Sequence, residues 1–156
     1  MVPRSHRRGS LRAARVRRAP GRSFAVLLLD LDRLKKINDA HGHLVGSRAL
    51  CRVANILRIH CREIDTAARY GGDEFVVILP ETGCAAARQV AQRISEQLRN
   101  DGEQPSISVS AGTALFPQDG KTIDELLAAA DRALYCEKRS SKRLAFAANA
   151  GPNPSR

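Results

Sequence analysis

The sequence predicts an α+β domain in which a mixed, mostly antiparallel central sheet has flanking helices. Two observations lead to this prediction. Apolar runs of strand length alternate with segments in which apolar residues recur at helical spacing. Their order along the chain is strand, helix, helix, two-strand hairpin, helix, strand and helix. Two helical crossovers around a hairpin favour one sheet with helices packed against it.

The first half of the predicted domain begins with a buried strand. Residues 24–30 (FAVLLLD) are a continuous apolar run, which is typical of a central strand that is buried on both faces. Helical spacing follows in 32–39 and again in 47–61. The segments 66–70 and 75–80 bracket Gly-Gly-Asp-Glu, which predicts a hairpin with a glycine-rich turn.

The second half is predicted from the same periodicities. We expect an amphipathic helix over 82–99, a turn-rich break over 100–105 and a strand over 106–116. Thr122 and Glu125 have the spacing of a capping box, which predicts the start of the last helix.

The last helix is expected to run to about Ser140, and LAFA at 144–147 is interpreted as a short edge strand. The resulting boundaries are an Arg-rich leader at 1–22, a folded domain at 23–147 and a loose tail at 148–156.

The net charge of +10 comes mostly from the leader. Residues 1–22 contain eight arginines and no acid, and without them the chain has 18 basic against 16 acidic residues. A basic arm can bind nucleic acid or anionic lipid, and the alternative is a solvated, irregular start or the remnant of a helix. We favour the alternative and expect no nucleic-acid binding, since no aromatic residue lies among these arginines.

Composition indicates a cytoplasmic protein that does not enter a membrane. No apolar run approaches the ~20 residues that cross a bilayer, and no signal-peptide core follows the basic start. The cysteines (Cys51, Cys61, Cys84 and Cys136) are scattered without metal-binding spacing, which is typical of a reducing compartment.

Three carboxylates stand where predicted strands end or turn. Asp30 ends the first strand, and Asp73 and Glu74 lie in the hairpin turn. If the strand and the hairpin are neighbours, these acids converge, and clustered carboxylates resist ionisation unless a cation neutralises them. Mg²⁺ takes one or two carboxylates together with substrate phosphates, and Gly71 and Gly72 leave the backbone open to a phosphate chain. We therefore interpret the turn as a metal–nucleotide platform; the alternative is an ordinary tight turn with solvated acids.

Four separated motifs occur in the order and spacing of one protein family. They are LLLDLDRLKKINDAHGHLVG at 27–46, RYGGDEF at 69–75, SVSAGTALFPQDG at 108–120 and ADRALYCEKR at 130–139. Together they resemble the GGDEF family of diguanylate cyclases over about residues 24–146. The resemblance implies a fold similar to the palm of nucleotide cyclases and polymerases, a ferredoxin-like architecture that agrees with the predicted element order.

The resemblance also implies an activity. Two GTP molecules condense to cyclic di-GMP and two pyrophosphates, as the 3′-hydroxyl of each attacks the α-phosphate of the other. Each subunit of a homodimer holds one GTP. Mg²⁺ or Mn²⁺ is the implied cofactor, which bridges the phosphates and lowers the pKa of the attacking hydroxyl.

Residue roles are implied by position in these motifs. The metal ligands are expected to be Asp30, Asp73 and the carbonyl of Leu31, with Glu74 completing the acidic pair and assisting deprotonation. The expected substrate-binding residues are Gly71, Gly72, Arg33, Leu34, Lys35, Asn38, Ser47, Lys138 and Lys142. Without the resemblance, the lysines would be interpreted as solvated surface residues and Asn38 as a helix C-cap.

A second group of residues matches the family's inhibitory product site. Arg62 and Asp65 have its RxxD spacing before the hairpin, and Arg93 matches its third member. Guanidinium groups suit bidentate contact with guanine and phosphate. The alternative for this common pattern is an exposed ion pair at a helix end.

Differences from the family pattern motivate a second functional hypothesis. Ser47 stands where members usually have an acid that accepts hydrogen bonds from guanine. Losing such a charge-assisted bond costs roughly 1.5–3 kcal/mol, which predicts about tenfold to a hundredfold weaker GTP binding and a relaxed guanine preference. The N-terminal DxLTxLxNR motif is missing, and Lys142 replaces the arginine of a late GRN motif. The alternative is a degenerate domain that binds GTP or cyclic di-GMP without turnover, as a receptor or interaction module.

Overall fold

The computed structural model describes residues 23–149, so the leader at 1–22 and residues 150–156 of the tail lie outside the described residues. Within the described range the elements are β1 (Phe24–Leu31), α1 (Leu34–His41), α2 (His43–His60), β2 (Thr66–Arg69), β3 (Glu74–Pro80), α3 (Cys84–Asn100), β4 (Val109–Phe116) and α4 (Ile123–Asn149).

The strands form one sheet in the order β2-β3-β1-β4. Every neighbouring pair is antiparallel, so the predicted α+β fold is confirmed, with antiparallel pairing throughout the described sheet. β1 is central and is bonded to β3 on one side and β4 on the other, which places its end beside both the hairpin turn and the start of β4.

Helices cover both faces of this sheet. On one face, Leu27 and Leu29 belong to a core shared with α1, α2 and α3, whereas Val26 and Leu28 on the other face pack with α4. All four side chains are at most 3% exposed. Because both faces of β1 are buried, residues 24–30 show no polar alternation, as the sequence predicted.

α4 lies close to β4 because Gly112 has no side chain. A Cβ at Gly112 would collide with the carbonyl oxygen of Ala130 and lie 2.5 Å from the backbone nitrogen of Leu134. This close approach keeps the second half of α4 near the end of β1, where the acidic residues lie.

The capping box at the start of α4 is formed as predicted. The N–H of Glu125 donates to the Thr122 hydroxyl at 3.2 Å, and the N–H of Thr122 donates to the Glu125 carboxylate at 3.3 Å. Each side chain therefore satisfies a backbone donor that the helix itself leaves unpaired.

The edge strand predicted at 144–147 is wrong, because α4 continues through this segment to Asn149. Alanine and leucine are strong helix formers, and neither glycine nor proline interrupts 123–149. β4 begins at Val109 rather than at 106, since its partner β1 ends at Leu31. Among the described helices, none combines the length and apolarity needed to cross a bilayer.

Candidate active site

The acidic residues of β1 and of the hairpin lie together at one edge of the sheet. In the antiparallel register of β1 and β3, Asp30 is the partner of Glu74. The next residue of β1, Leu31, donates its N–H to the carbonyl oxygen of Asp73 at 2.9 Å. Cross-strand partners have Cα atoms about 4.5–5.5 Å apart. The structure therefore brings together the three acids that the sequence predicted to converge.

Two carboxyls of this cluster hold their protons more tightly than isolated ones. Burial raises the pKa of Asp30 above its usual value, and the charge of Asp73 adds to the rise, whereas the Lys138 ammonium opposes it. Burial also raises the pKa of Glu74, together with the charges of Asp30 and Asp73. A cation brought to this edge would therefore relieve repulsion that the fold creates.

A lysine of α4 reaches the acidic cluster. The Nζ atom of Lys138 lies 2.7 Å from Oδ1 of Asp30. Beside this ion pair is a cleft of about 520 Å³, whose walls include Glu74, Asp131 and Tyr135. The cleft gives an approaching molecule access to both carboxylates and to the lysine.

The donor set fits a divalent ion that binds together with a nucleotide. In the described part of the chain, no three acidic, histidine or cysteine side chains are arranged to hold a metal by themselves. Mg²⁺ usually keeps several waters and takes one or two carboxylates plus phosphate oxygens. Asp30 and Asp73 supply such a small set, and the ammonium of Lys138 already neutralises Asp30 as a cation would.

The glycine turn is closed by backbone bonds and by an arginine. The N–H groups of Tyr70 and Gly71 donate to the carbonyl of Glu74 at 2.8 and 3.2 Å. The Arg69 guanidinium donates to the carbonyls of Gly71 and Gly72 at 3.1 and 2.5 Å. A Cβ at Gly71 would lie 2.6 Å from the Glu74 carboxylate, whereas one at Gly72 would meet no described atom within 4 Å. Gly71 thus makes room for Glu74, and Gly72 leaves the backbone open to an approaching molecule.

The start of α1 has the properties of an anion site. Arg33 precedes the helix with φ 58° and ψ 29°, a left-handed conformation that costs a non-glycine residue about 1–3 kcal/mol. No side chain in the described region caps this helix, and its first turn, which begins at Leu34, contains no acid. The first-turn N–H groups therefore remain free to donate to a phosphate.

The other predicted phosphate-binding lysines are exposed. Lys35 lies in the first turn of α1. Lys142 follows Lys138 by four residues on α4, so the two share one face of that helix. Both positions allow a long cationic side chain to move toward a bound anion.

The predicted guanine contacts lie where α1 and α2 meet. The carboxamide of Asn38 packs against Gly46, at which any Cβ would collide with it. The carbonyl of Asn38 also accepts the N–H of Gly42 at 2.8 Å, so this residue does take part in ending α1. Ser47 is exposed and lines a recess of about 370 Å³ between α2 and the hairpin, together with Arg69.

Arg62 and Asp65, which have the spacing of the inhibitory product site, form an ion pair with each other. An ion pair at a helix end is the alternative role predicted for this motif. Nη2 of Arg62 lies 3.0 Å from Oδ1 of Asp65 and also donates to the Pro80 carbonyl and the Thr82 hydroxyl. The Asp65 side chain is 2% exposed and that of Arg62 is 55% exposed, so the arginine still presents a surface to solvent. Arg93 is exposed on α3 and takes no part in the ion pairs of the described residues.

Residues of the site that the sequence did not single out include Asp131 and Arg69. Asp131 faces Glu74 across the cleft and raises the pKa of Glu74. It precedes Lys138 by seven residues, or two helical turns, and this spacing on one face could have revealed it. The role of Arg69 depends on the turn geometry, which the sequence does not specify.

A family profile described as "Diguanylate cyclase, GGDEF domain" matches residues 7–143. The chain is 43% identical over 121 residues to the bifunctional diguanylate cyclase/cyclic di-GMP phosphodiesterase MucR of Pseudomonas aeruginosa, covering 75% of this chain and 18% of that protein. It is 36% identical over 125 residues to diguanylate cyclase A of Treponema denticola, covering 77% of this chain and 34% of that protein.

Solved structures of GGDEF proteins are also similar to this chain. A sensory box/GGDEF family protein from Caulobacter crescentus superposes with a TM-score of 0.70 at 41% identity, covering 77% of this chain and 81% of that one. The GGDEF domain of DgcB from Caulobacter crescentus, in complex with c-di-GMP, superposes with a TM-score of 0.72 at 28% identity, covering 77% of this chain and 74% of that one. The chain belongs to the GGDEF family of diguanylate cyclases. It spans between a sixth and about a third of the length of the curated relatives it matches.

Proposed function

We propose that this chain is a diguanylate cyclase domain that condenses two GTP molecules into cyclic di-GMP and two pyrophosphates. The single observation that supports this most is the meeting of Asp30 and Glu74 across β1 and β3, with Asp73 beside them. This edge lies next to an uncapped helix start and a lysine, and together these groups suit the phosphate chain of a nucleotide.

The proposed metal ligands are Asp30, Asp73 and the carbonyl of Leu31, and the ion is Mg²⁺ or Mn²⁺. When bound, such an ion stabilises charge on the phosphates and makes a hydroxyl more acidic. Glu74 lies opposite Asp30 and next to Asp73, a position that suits its carboxylate to help remove the proton of the attacking 3′-hydroxyl.

The phosphate chain is proposed to lie between the start of α1 and α4. The backbone at Arg33 and Leu34 offers N–H donors, and Lys35 adds charge at the same helix end. An ammonium has three donors, so Lys138 can keep its bond to Asp30 and donate to a phosphate oxygen as well. Lys142 supplies further positive charge from the next turn of α4.

The base is proposed to lie against Asn38 and Ser47. The carboxamide of Asn38 can both donate to and accept from a purine edge. The Ser47 hydroxyl is a weaker acceptor than a carboxylate for the N–H groups of guanine, so the domain should bind GTP less tightly than a variant with an acid there.

The reaction needs two nucleotides facing each other, and we infer that a homodimer supplies them. Each subunit would contribute one acidic edge and one GTP. Product inhibition is proposed at Arg62, Asp65 and Arg93, because the exposed face of Arg62 can donate to a guanine or a phosphate. The DgcB structure that carries c-di-GMP supports product binding by a related domain. The expected location is the cytoplasm.

A second candidate function is nucleotide binding without turnover, and Ser47 is the observation that favours it. Incubation of the purified chain with GTP and Mg²⁺, followed by chromatographic separation of the products, tests the two. Formation of cyclic di-GMP supports the cyclase. Tight binding of cyclic di-GMP or GTP with no product, from a chain shown to be dimeric, would support the receptor role instead.

A further inference from the structure

We propose that Ser108 and Ser110 hold the Asp32 carboxylate away from the start of α1, so that the N–H groups of this helix stay open to the triphosphate. This inference deepens the proposed function and rests on it. It concerns one carboxylate that lies two residues before the first residue of α1 and that the roles assigned above do not include.

Both oxygens of the Asp32 carboxylate are occupied by serine hydroxyls of the neighbouring segment. Ser110 Oγ donates to Oδ1 and Ser108 Oγ donates to Oδ2, each at 2.7 Å. The N–H of Asp32 also donates to the carbonyl of Ser108 at 2.9 Å. Three bonds therefore tie the junction of β1 and α1 to β4 and the residue before it, and the two to the carboxylate are charge-assisted and short.

The preceding residue ties the same junction to the glycine turn. Leu31 donates to the Asp73 carbonyl, so Leu31 and Asp32 are anchored to opposite neighbours of β1. The chain then turns at Arg33 in the left-handed region and enters α1. The location of the first-turn N–H groups relative to the acidic edge follows from these anchors.

The direction of the Asp32 carboxylate is what suggests a function. The N-cap position of α1 is Arg33, and Asp32 is the residue before it. An aspartate at a helix start can accept from the first-turn N–H groups and cap them, and Asp32 is the acid nearest to these groups in sequence. Here the serines hold the carboxylate against β4, and the helix start has no side-chain cap among the described residues. These two serine bonds, the clamp on Asp32, keep its carboxylate from accepting the first-turn N–H groups of α1. A phosphate would use the same N–H groups, and two anions compete for one anion site.

The test compares affinities for 3′-deoxy-GTP with Mg²⁺, measured by calorimetry, because this analogue cannot be cyclised. The Ser108→Ala/Ser110→Ala variant frees the Asp32 carboxylate, and we expect about tenfold weaker binding, or ~1.4 kcal/mol. Adding Asp32→Asn to that variant removes the competing charge and should recover most of the affinity. If the clamp acts only on the structure of this junction, the opposite is expected: adding Asp32→Asn to the double serine variant leaves binding equally weak or weaker.

Controls separate folding from positioning. Ser106→Ala, in the same segment but exposed, should leave affinity unchanged, and Ser108→Thr, which keeps a hydroxyl, should bind within about twofold of the wild-type chain, or ~0.4 kcal/mol. Thermal melting reports whether each variant is folded. If the double variant is not folded, Ser108→Ala alone is used for the affinity measurement. Unchanged affinity in the folded serine variants, or no recovery with Asp32→Asn, overturns the inference only. Wild-type chain that binds no analogue overturns the proposed function as well, and binding without cyclic di-GMP formation from GTP overturns the cyclase proposal alone.

Discussion

The phosphate end and the base end of the proposed nucleotide site differ in how many groups define them. At the phosphate end, carboxylates of β1 and the hairpin meet an uncapped helix and a lysine of α4. At the base end, the predicted polar contacts are the carboxamide of Asn38 and the hydroxyl of Ser47. We therefore expect several independent elements to position a triphosphate in the proposed site, and base identity to depend on few contacts.

Removal of an acid at the phosphate end should have the largest effect on activity. Asp73→Ala should lower cyclic di-GMP formation by about a thousandfold or more, equivalent to ~4 kcal/mol in the barrier, because a proposed metal ligand is lost. Chromatography of the products of GTP measures it. Glu103→Ala, in the exposed loop after α3, is the matched control and should keep full activity. Wild-type rates in Asp73→Ala would show that chemistry occurs elsewhere.

At the base end, Ser47→Asp should tighten GTP binding by about tenfold to a hundredfold, since a carboxylate accepts charge-assisted bonds from guanine N–H groups. The ratio of GTP to ATP affinity should rise with it. Calorimetric titration with both nucleotides checks the change, and Cys51→Ser, one helical turn further along the same recess, controls for altered polarity. An equal gain for ATP would contradict guanine recognition at Ser47.

The region of Arg62 and Arg93 belongs to neither end of the proposed nucleotide site. Arg62→Ala and Arg93→Ala should each weaken inhibition by cyclic di-GMP about tenfold, as guanidinium contacts to the product are lost. Arg62→Ala should also lower the melting temperature, because Arg62 bonds Pro80 and Thr82. Initial rates at increasing product concentration measure the effect. Inhibition constants equal to the wild-type value in both variants would remove the product site from this region.

The smallest expected effect is on stability and concerns the acidic edge without ligand. The folded chain raises the pKa of Glu74, so deprotonation is harder in the folded than in the unfolded state. The free energy of unfolding should therefore fall as pH rises from the unfolded pKa through the folded one. Glu74→Gln removes this loss and should melt a few degrees higher at neutral pH, with the difference vanishing in acid. A difference that grows on acidification would show that the sign is wrong.

Much of the fold follows from local patterns. The unbroken apolar run of β1, the glycine turn and the capping box at Thr122 and Glu125 each depend on neighbouring residues, and the structure has all of them. The strand prediction for 144–147 is wrong because short apolar runs fit a strand or a helix equally well. What decided it was the continuity of strong helix formers along α4.

Residue chemistry and periodicity are local properties, so the sequence was enough to predict the candidate residues of a metal–nucleotide site and most of the strands and turns. Only the tertiary structure decided which groups meet: Asp30 opposite Glu74, Lys138 on Asp30, and the Asp32 carboxylate turned to serines 76 and 78 residues away. The physical reason is that strand register and helix packing are set by burial of the whole core, which no short stretch of sequence specifies.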